Sequence, residues 1–214
     1  MTSPRPADLS SGPSDHTAGP AVMSLRERKK AKTRRTIQDE ALKLFAEQGY
    51  EATTVEQIAE AAEVSPSTFF RYFPTKEDVV IQDDYDPMLV AAIKAQPSDL
   101  PPLTAIRAAF RSAFGSIPPS EIDMTLTRMK LSTSVPALRA RTVDNLFATI
   151  DMLAGAVAER VGGDPRDPAV RTLVGAVIGV MLPVLFAWVD ENGATSLPDL
   201  LDEALGYLEA GLPV

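Results

Sequence analysis

Two short amphipathic segments set end to end between positions 54 and 73 restrict this chain more than any other feature. Val55, Ile58, Ala59 and Ala62 recur at i, i+3, i+4 and i+7, one apolar face of a short helix. Thr54 and Gln57 form a capping box at its start, with Thr53 and Glu56 one register away. Residues 61–64 read as a tight turn. Ser65 then caps a second helix, and Pro66 fits its first position, where no backbone N–H is needed. Phe69 and Phe73 lie four apart and share the inward face. Helices this short are unstable alone, so each needs a partner behind it. Two short helices joined by a tight turn form a helix-turn-helix, whose second helix enters the major groove.

The side chains fit that task. Thr54, Ser67, Tyr72 and Lys76 are candidates for phosphate contacts, which position a protein on DNA without reading sequence. Pro66, Ser67, Thr68 and Arg71 are candidates for base edges or thymine methyls. Phe73 reads as core, whereas Tyr72 either packs or faces a phosphate.

The string Thr36-Ile37, Ala41, Leu44-Phe45, Gly49-Tyr50, Thr54-Val55, Ile58-Ala59, Ala62, Val64-Ser65, Thr68, Tyr72-Phe73 and Lys76-Glu77 resembles the TetR family of one-component regulators. The resemblance covers residues 24–80 and implies Ser65 and the position of Phe70 within the DNA-facing set. Two positions depart from it. Glu63 stands where the family usually has Gly, in a turn that needs a left-handed residue at a cost on the order of 1–2 kcal/mol. Phe70 stands where Tyr is usual, so one phosphate-directed hydroxyl is missing.

Composition narrows the chemistry. The 214 residues contain no Cys and a single His, His16 in a polar tail, which excludes disulfides, thiolate catalysis and Cys- or His-based metal sites. No metal and no cofactor is expected, nor an enzyme. The net charge is −8, yet between 24 and 36 Arg26, Arg28, Lys29, Lys30, Lys32, Arg34 and Arg35 face Glu27 alone. A positive field concentrated just ahead of a helix-turn-helix is what a DNA-facing end requires. Arg26, Arg28 and Lys29 are read as a flexible arm that reaches a neighbouring groove.

Along the chain, residues 1–23 are rich in Pro, Ser, Gly and Ala and read as a disordered tail, without the apolar segment of a signal peptide. A head follows at 24–74, with a first helix over 24–48 stopped by Gly49. A body occupies 75–214. Its first helix opens at Thr75 and runs to Ile93, with a kink or break near Asp86 imposed by Pro87. Further helices are expected over 103–115, 119–132, 136–161, 168–190 and 198–210. No segment alternates with period two, so the chain reads as all-α, about nine helices. Residues 173–189 form an uncharged apolar run, shorter than a membrane span and interrupted by Pro183, so no membrane is expected and the location is cytoplasmic.

The body carries a second resemblance. Asp83-Asp84-Tyr85-Asp86-Pro87, Leu100-Pro101-Pro102-Leu103, residues 131–141 and Trp188 are similar to the C-terminal domain of regulators grouped with the mycofactocin-system regulator. That resemblance implies an acyl-CoA-like or other small hydrophobic effector. The TetR resemblance implies a homodimer through residues 170–189 and 198–210, on a palindromic double-stranded operator with half-sites one helical turn apart. Met88, Phe110, Phe114, Met124, Arg128, Met129, Phe147, Met181 and Trp188 are the candidate effector contacts, with Arg128, Lys130 and Arg139 available to an anionic group. For each apolar residue the alternative is plain core. Two other functions stay open on residues alone: an architectural DNA-binding protein without effector, and an enzyme with a DNA-binding head.

Overall fold

The structure, a computed structural model, describes residues 24–82, 85–115 and 117–213. Among them are ten helices and no strand, so the all-α expectation holds: α1 (Leu25–Gln48), α2 (Val55–Ala61), α3 (Pro66–Tyr72), α4 (Lys76–Ile81), α5 (Tyr85–Ala95), α6 (Pro102–Phe114), α7 (Pro119–Ser134), α8 (Pro136–Val161), α9 (Pro168–Asp190) and α10 (Leu197–Glu209). The expected tail at 1–23 lies outside the described residues.

Caps decide where the first helices start. The Ser24–Glu27 box opens α1, and Thr54 with Gln57, not Thr53 with Glu56, opens α2. Thr53 is buried instead, its hydroxyl donating to the Gly49 carbonyl at 2.8 Å. Gly49 ends α1 at φ 87, a conformation that favours glycine. Glu63 adopts φ 55 in the turn between α2 and α3, as the sequence implied, and so carries the left-handed strain without glycine's exemption.

Ile37, Ala41 and Phe45 of α1 close over Ile58 and Ala59 of α2 and Phe69 and Phe73, forming one buried head core. Val79 and Val80 of α4 complete it, and so does Leu138, fully buried at the start of α8. A body side chain thus plugs the head.

The fourth helix breaks just ahead of Asp86, as expected. It is two helices, α4 and α5, separated after Gln82, whose extended backbone ends α4. Pro87 causes no kink, because it is the third residue of α5, where the missing N–H would have no intrahelical partner.

The body buries Leu89 and Ile93 of α5, Ile106 and Phe110 of α6, Leu153 and Val157 of α8, and Leu201 and Leu205 of α10 against α9. Arg107 of α6 forks onto Asp202 of α10 at 2.9 and 3.0 Å and reaches Glu209 at 2.9 Å, fastening the two helices. α9 is long and apolar enough to cross a membrane by length and composition, but 28% of its most apolar window is buried in this fold. Val174, Val177, Ile178 and Met181 face the core, while Gly175, Gly179, Pro183 and Phe186 stay exposed. That face of α9 is therefore uncovered in the single chain.

Candidate functional site

The DNA-facing candidates gather on and beside α3. Ser65 accepts from the Thr68 N–H at 3.1 Å as the N-cap, and its hydroxyl also meets those of Ser67 and Thr68 at 2.9 and 3.0 Å. This hydroxyl cluster sits at the exposed start of the helix, with Pro66 beside it. Phe69 is buried beneath, and Phe70 stands edge-on to it, 49% exposed. Arg71 is exposed, with its guanidinium 5.5 Å from the centre of the half-buried Tyr72 ring. Thr54 is exposed at the α2 N-cap.

Four candidates are placed otherwise than expected. Arg26, Arg28 and Lys29 are exposed but lie in the first turn and a half of α1, not on an extended arm, because the Ser24–Glu27 box commits the chain to helix from Leu25. Lys76 is half-buried over the Tyr50 ring, its ammonium 4.1 Å from the centroid. It donates to the Tyr50 and Thr53 carbonyls at 2.9 and 3.1 Å, which leaves one N–H for a phosphate. Tyr50 in turn donates to Glu77 at 2.9 Å, and burial with that carboxylate pushes the Tyr50 hydroxyl well above the usual phenol range.

Behind the head, polar contacts register α4. Gln38 of α1 donates to the Val79 and Gln82 carbonyls at 3.2 and 2.7 Å. The Arg128 Nε–H of α7 donates to the Val80 carbonyl at 2.9 Å. Asp78 accepts from the Thr75 N–H at 3.0 Å and from Arg141 of α8 at 3.0 Å. The Arg141 partner of Asp78 is not legible in the sequence, because no local spacing links 78 to 141.

Below α4 opens a cavity of about 710 Å³, within the range of small-molecule sites. Val80 and Ile81 of α4 form one wall, and α8 faces them with Arg139, Thr142, Val143 and Leu146, spaced i, i+3, i+4 and i+7. Phe114, Arg128, Met129 and Met181 line it as expected. The other five candidates do not. Phe110 is buried behind Phe114, stacked at 5.4 Å. Trp188 is fully buried, its indole N–H donating to the Thr195 carbonyl at 2.9 Å. Met124 packs on the head core, and Phe147 points outward at 61% exposure. Met88 lies on α5 away from the lining. Large apolar residues on these helices are mostly core, and periodicity alone does not separate lining from core.

Apart from Arg128 and Arg139, the polar lining was missed. Tyr85 shares a 2.9 Å hydrogen bond with Thr125, and Asp86 accepts from Thr149 at 2.8 Å. Thr142 and Asn145 add to the same wall. The signal existed in the polar residues at helical spacing within α8, between an apolar start and an apolar end. Lys130, considered for an anionic group, instead donates to Asn192 at 2.8 Å.

Comparison with known proteins agrees with this geometry. Residues 37–82 match the family described as bacterial regulatory proteins, tetR family, and residues 100–213 match the MftR C-terminal domain. The HTH-type transcriptional regulator TcmR of Streptomyces glaucescens is 39% identical over 150 residues, 67% of this chain and 66% of that protein. MftR of Mycobacterium tuberculosis, a regulator assigned to mycofactocin biosynthesis, is 28% identical over 188 residues, 86% of this chain and 93% of its own. The solved structure of FadR from Bacillus subtilis in complex with stearoyl-CoA shares the fold at a TM-score of 0.55 and 23% identity, covering 84% of this chain and 99% of that one. These relatives are transcriptional regulators rather than enzymes. The chain belongs to the TetR family of transcriptional regulators, with a C-terminal domain of the MftR type.

Proposed function

We propose that the chain is a cytoplasmic repressor that binds a palindromic operator as a homodimer and is released by a hydrophobic, acyl-type effector. One observation carries the reading: Val80 and Ile81, which wall the 710 Å³ cavity, belong to the helix that follows the recognition helix after Phe73, Pro74 and Thr75. A ligand that fills this cavity presses on Val80 and Ile81, and α4 carries the head. The stearoyl-CoA complex of the B. subtilis neighbour supports an acyl effector in a body of this fold.

The division proposed is a head over 24–74 and a body over 75–214, with α4 as the hinge. In the dimer, α9 and α10 meet their counterparts in the second copy, which covers the exposed Gly175, Gly179, Pro183 and Phe186 face. Two-fold symmetry then sets two α3 helices about 34–36 Å apart, one turn of DNA. In that complex Ser67, Thr68 and Arg71 face bases, and Thr54, Ser65 and Tyr72 face phosphates.

Thermal unfolding with stearoyl-CoA, lauroyl-CoA and free CoA tests the effector. A ligand of the native state at a hundred times its Kd adds about 2.7 kcal/mol of stability. The acyl thioesters should raise Tm and release DNA in a gel-shift assay, while free CoA should do neither. An unchanged Tm with all three removes the acyl effector from the account.

A further inference from the structure

The main cavity has a neighbour. Tyr85, Thr125 and Arg128 line it and also line a smaller cleft of about 260 Å³ between α1 and α7. The two spaces are therefore adjacent across three side chains. Their chemistry differs. The main cavity is walled largely by apolar side chains, whereas among the described residues the cleft presents Lys32 and Arg35 of α1 with Arg128 of α7 against one carboxylate, Glu121. Arg35 pairs with Glu121 at 2.6 Å, and this contact ties α1 to α7.

We infer that this cleft seats an anionic head group, a carboxylate or a phosphate, on an effector whose apolar part lies in the main cavity, and that the head group takes Arg35 from Glu121. The inference rests on the effector reading above and adds the head-group chemistry and its consequence. Three observations lead there. An amphiphile held in an apolar chamber needs its charged end paired or wet, and the adjoining cleft offers cations at the shared wall. A guanidinium binds carboxylates and phosphates through paired N–H donors, so an incoming anion competes with Glu121 for the same fork. Exchange of that partner loosens α1 from α7 while leaving the charge of Arg35 satisfied. Since α1 carries the basic Leu25–Arg35 turns, an anion seated there also reduces the positive field that faces DNA.

Isothermal titration calorimetry with dodecanoate, dodecanoyl-CoA and dodecanol, on wild type and on Lys32→Gln, Arg35→Gln, Arg35→Lys and Glu121→Gln, tests it. Arg35 is 54% exposed at its side chain, so these surface changes leave the core intact. The anionic probes should bind about tenfold more weakly to Arg35→Gln and Lys32→Gln and more tightly to Glu121→Gln, a tenfold change being the scale of one charge-assisted contact. Arg35→Lys should fall between wild type and Arg35→Gln. Dodecanol should bind all five proteins alike. An effect on dodecanoyl-CoA but not dodecanoate assigns the cleft to phosphate, and an effect on both assigns it to any anion. If Glu121→Gln and Arg35→Gln shift the anions in the same direction, or dodecanol shifts as they do, the cleft assignment is wrong while the effector reading stands. If none of the three probes binds wild type, both fall.

Discussion

Arg141 of α8 holds Asp78 of α4 at 3.0 Å, across the junction between body and head. Asp78 is only 6% exposed and also caps α4 through the Thr75 N–H. The pair sits one turn along α8 from Leu138, the body residue that plugs the head core. Thr142 and Val143, its next neighbours on α8, line the cavity. The same two turns therefore touch the ligand space and the head.

Arg141→Ala should destabilise the protein by about 1–3 kcal/mol, the cost of leaving a buried acceptor short of a partner. Asp78→Ala should cost more, because the Thr75 N–H loses its acceptor as well, while the Thr75 hydroxyl still caps the Asp78 N–H. Denaturant unfolding of both single variants and the double variant measures the coupling. Strict additivity would show that the ion pair does not join head to body.

Glu63→Gly should raise stability by about 1 kcal/mol, since the left-handed strain at φ 55 is removed and glycine's extra freedom in the unfolded chain returns only part of it. Glu63 is exposed, so no packing opposes the change. A lower Tm for the variant would mean that the Glu63 side chain makes a contact worth more than the strain.

Lys76→Ala should destabilise the head by about 1–3 kcal/mol through the loss of two carbonyl contacts and the Tyr50 ring contact. At a temperature where the variant is folded, DNA affinity should fall evenly across sequences, with a salt slope lower by about one at most. A change in base preference would make Lys76 a reader of sequence.

Asp202 titrates low, at about 2, chiefly because Arg107 forks onto it. A carboxylate depressed in the folded state adds stability above its unfolded pKa and loses it as pH falls through the folded one. The stability gap between wild type and Asp202→Asn should therefore be constant from pH 7 down to about 4 and close progressively towards about 2. A gap independent of pH across that window would mean that the fork contributes packing and no charge pairing.

Gly179→Leu probes assembly. No heavy atom lies within 4 Å of a Cβ built at Gly179, so a single chain has room for the side chain. The variant should keep its fold by circular dichroism yet dissociate at protein concentrations where wild type is dimeric by light scattering. A wild type that is monomeric at micromolar concentration contradicts the dimer.

Much of this was legible in the sequence because it rests on local signals. The capping box at Thr54 and the cap at Ser65 set two helix starts, and the Glu63 turn was legible from its sequence position. The break near Asp86 was legible, but not that Pro87 falls in the first turn after it, since the effect of proline depends on whether it lies in a first turn or an interior. The cavity was half legible. Phe114, Arg128, Met129 and Met181 line it, whereas Phe110 and Trp188 are of the same type and lie in the core. Long-range pairs such as Asp78 with Arg141, and the passage of Leu138 into the head, leave no trace in spacing, since they arise from how α8 lands on α4.

In the proposed mechanism effector and DNA compete through one conformational equilibrium. Coupling of this kind is reciprocal and is typically worth 1–3 kcal/mol, about 5–150-fold. The direct measurement is the Kd of stearoyl-CoA for the dimer, alone and with a saturating operator selected from random DNA by the protein itself. The account predicts weaker binding on the operator by a factor in that range, matched by the loss of operator affinity at saturating stearoyl-CoA. Equal Kd values with and without operator would contradict it.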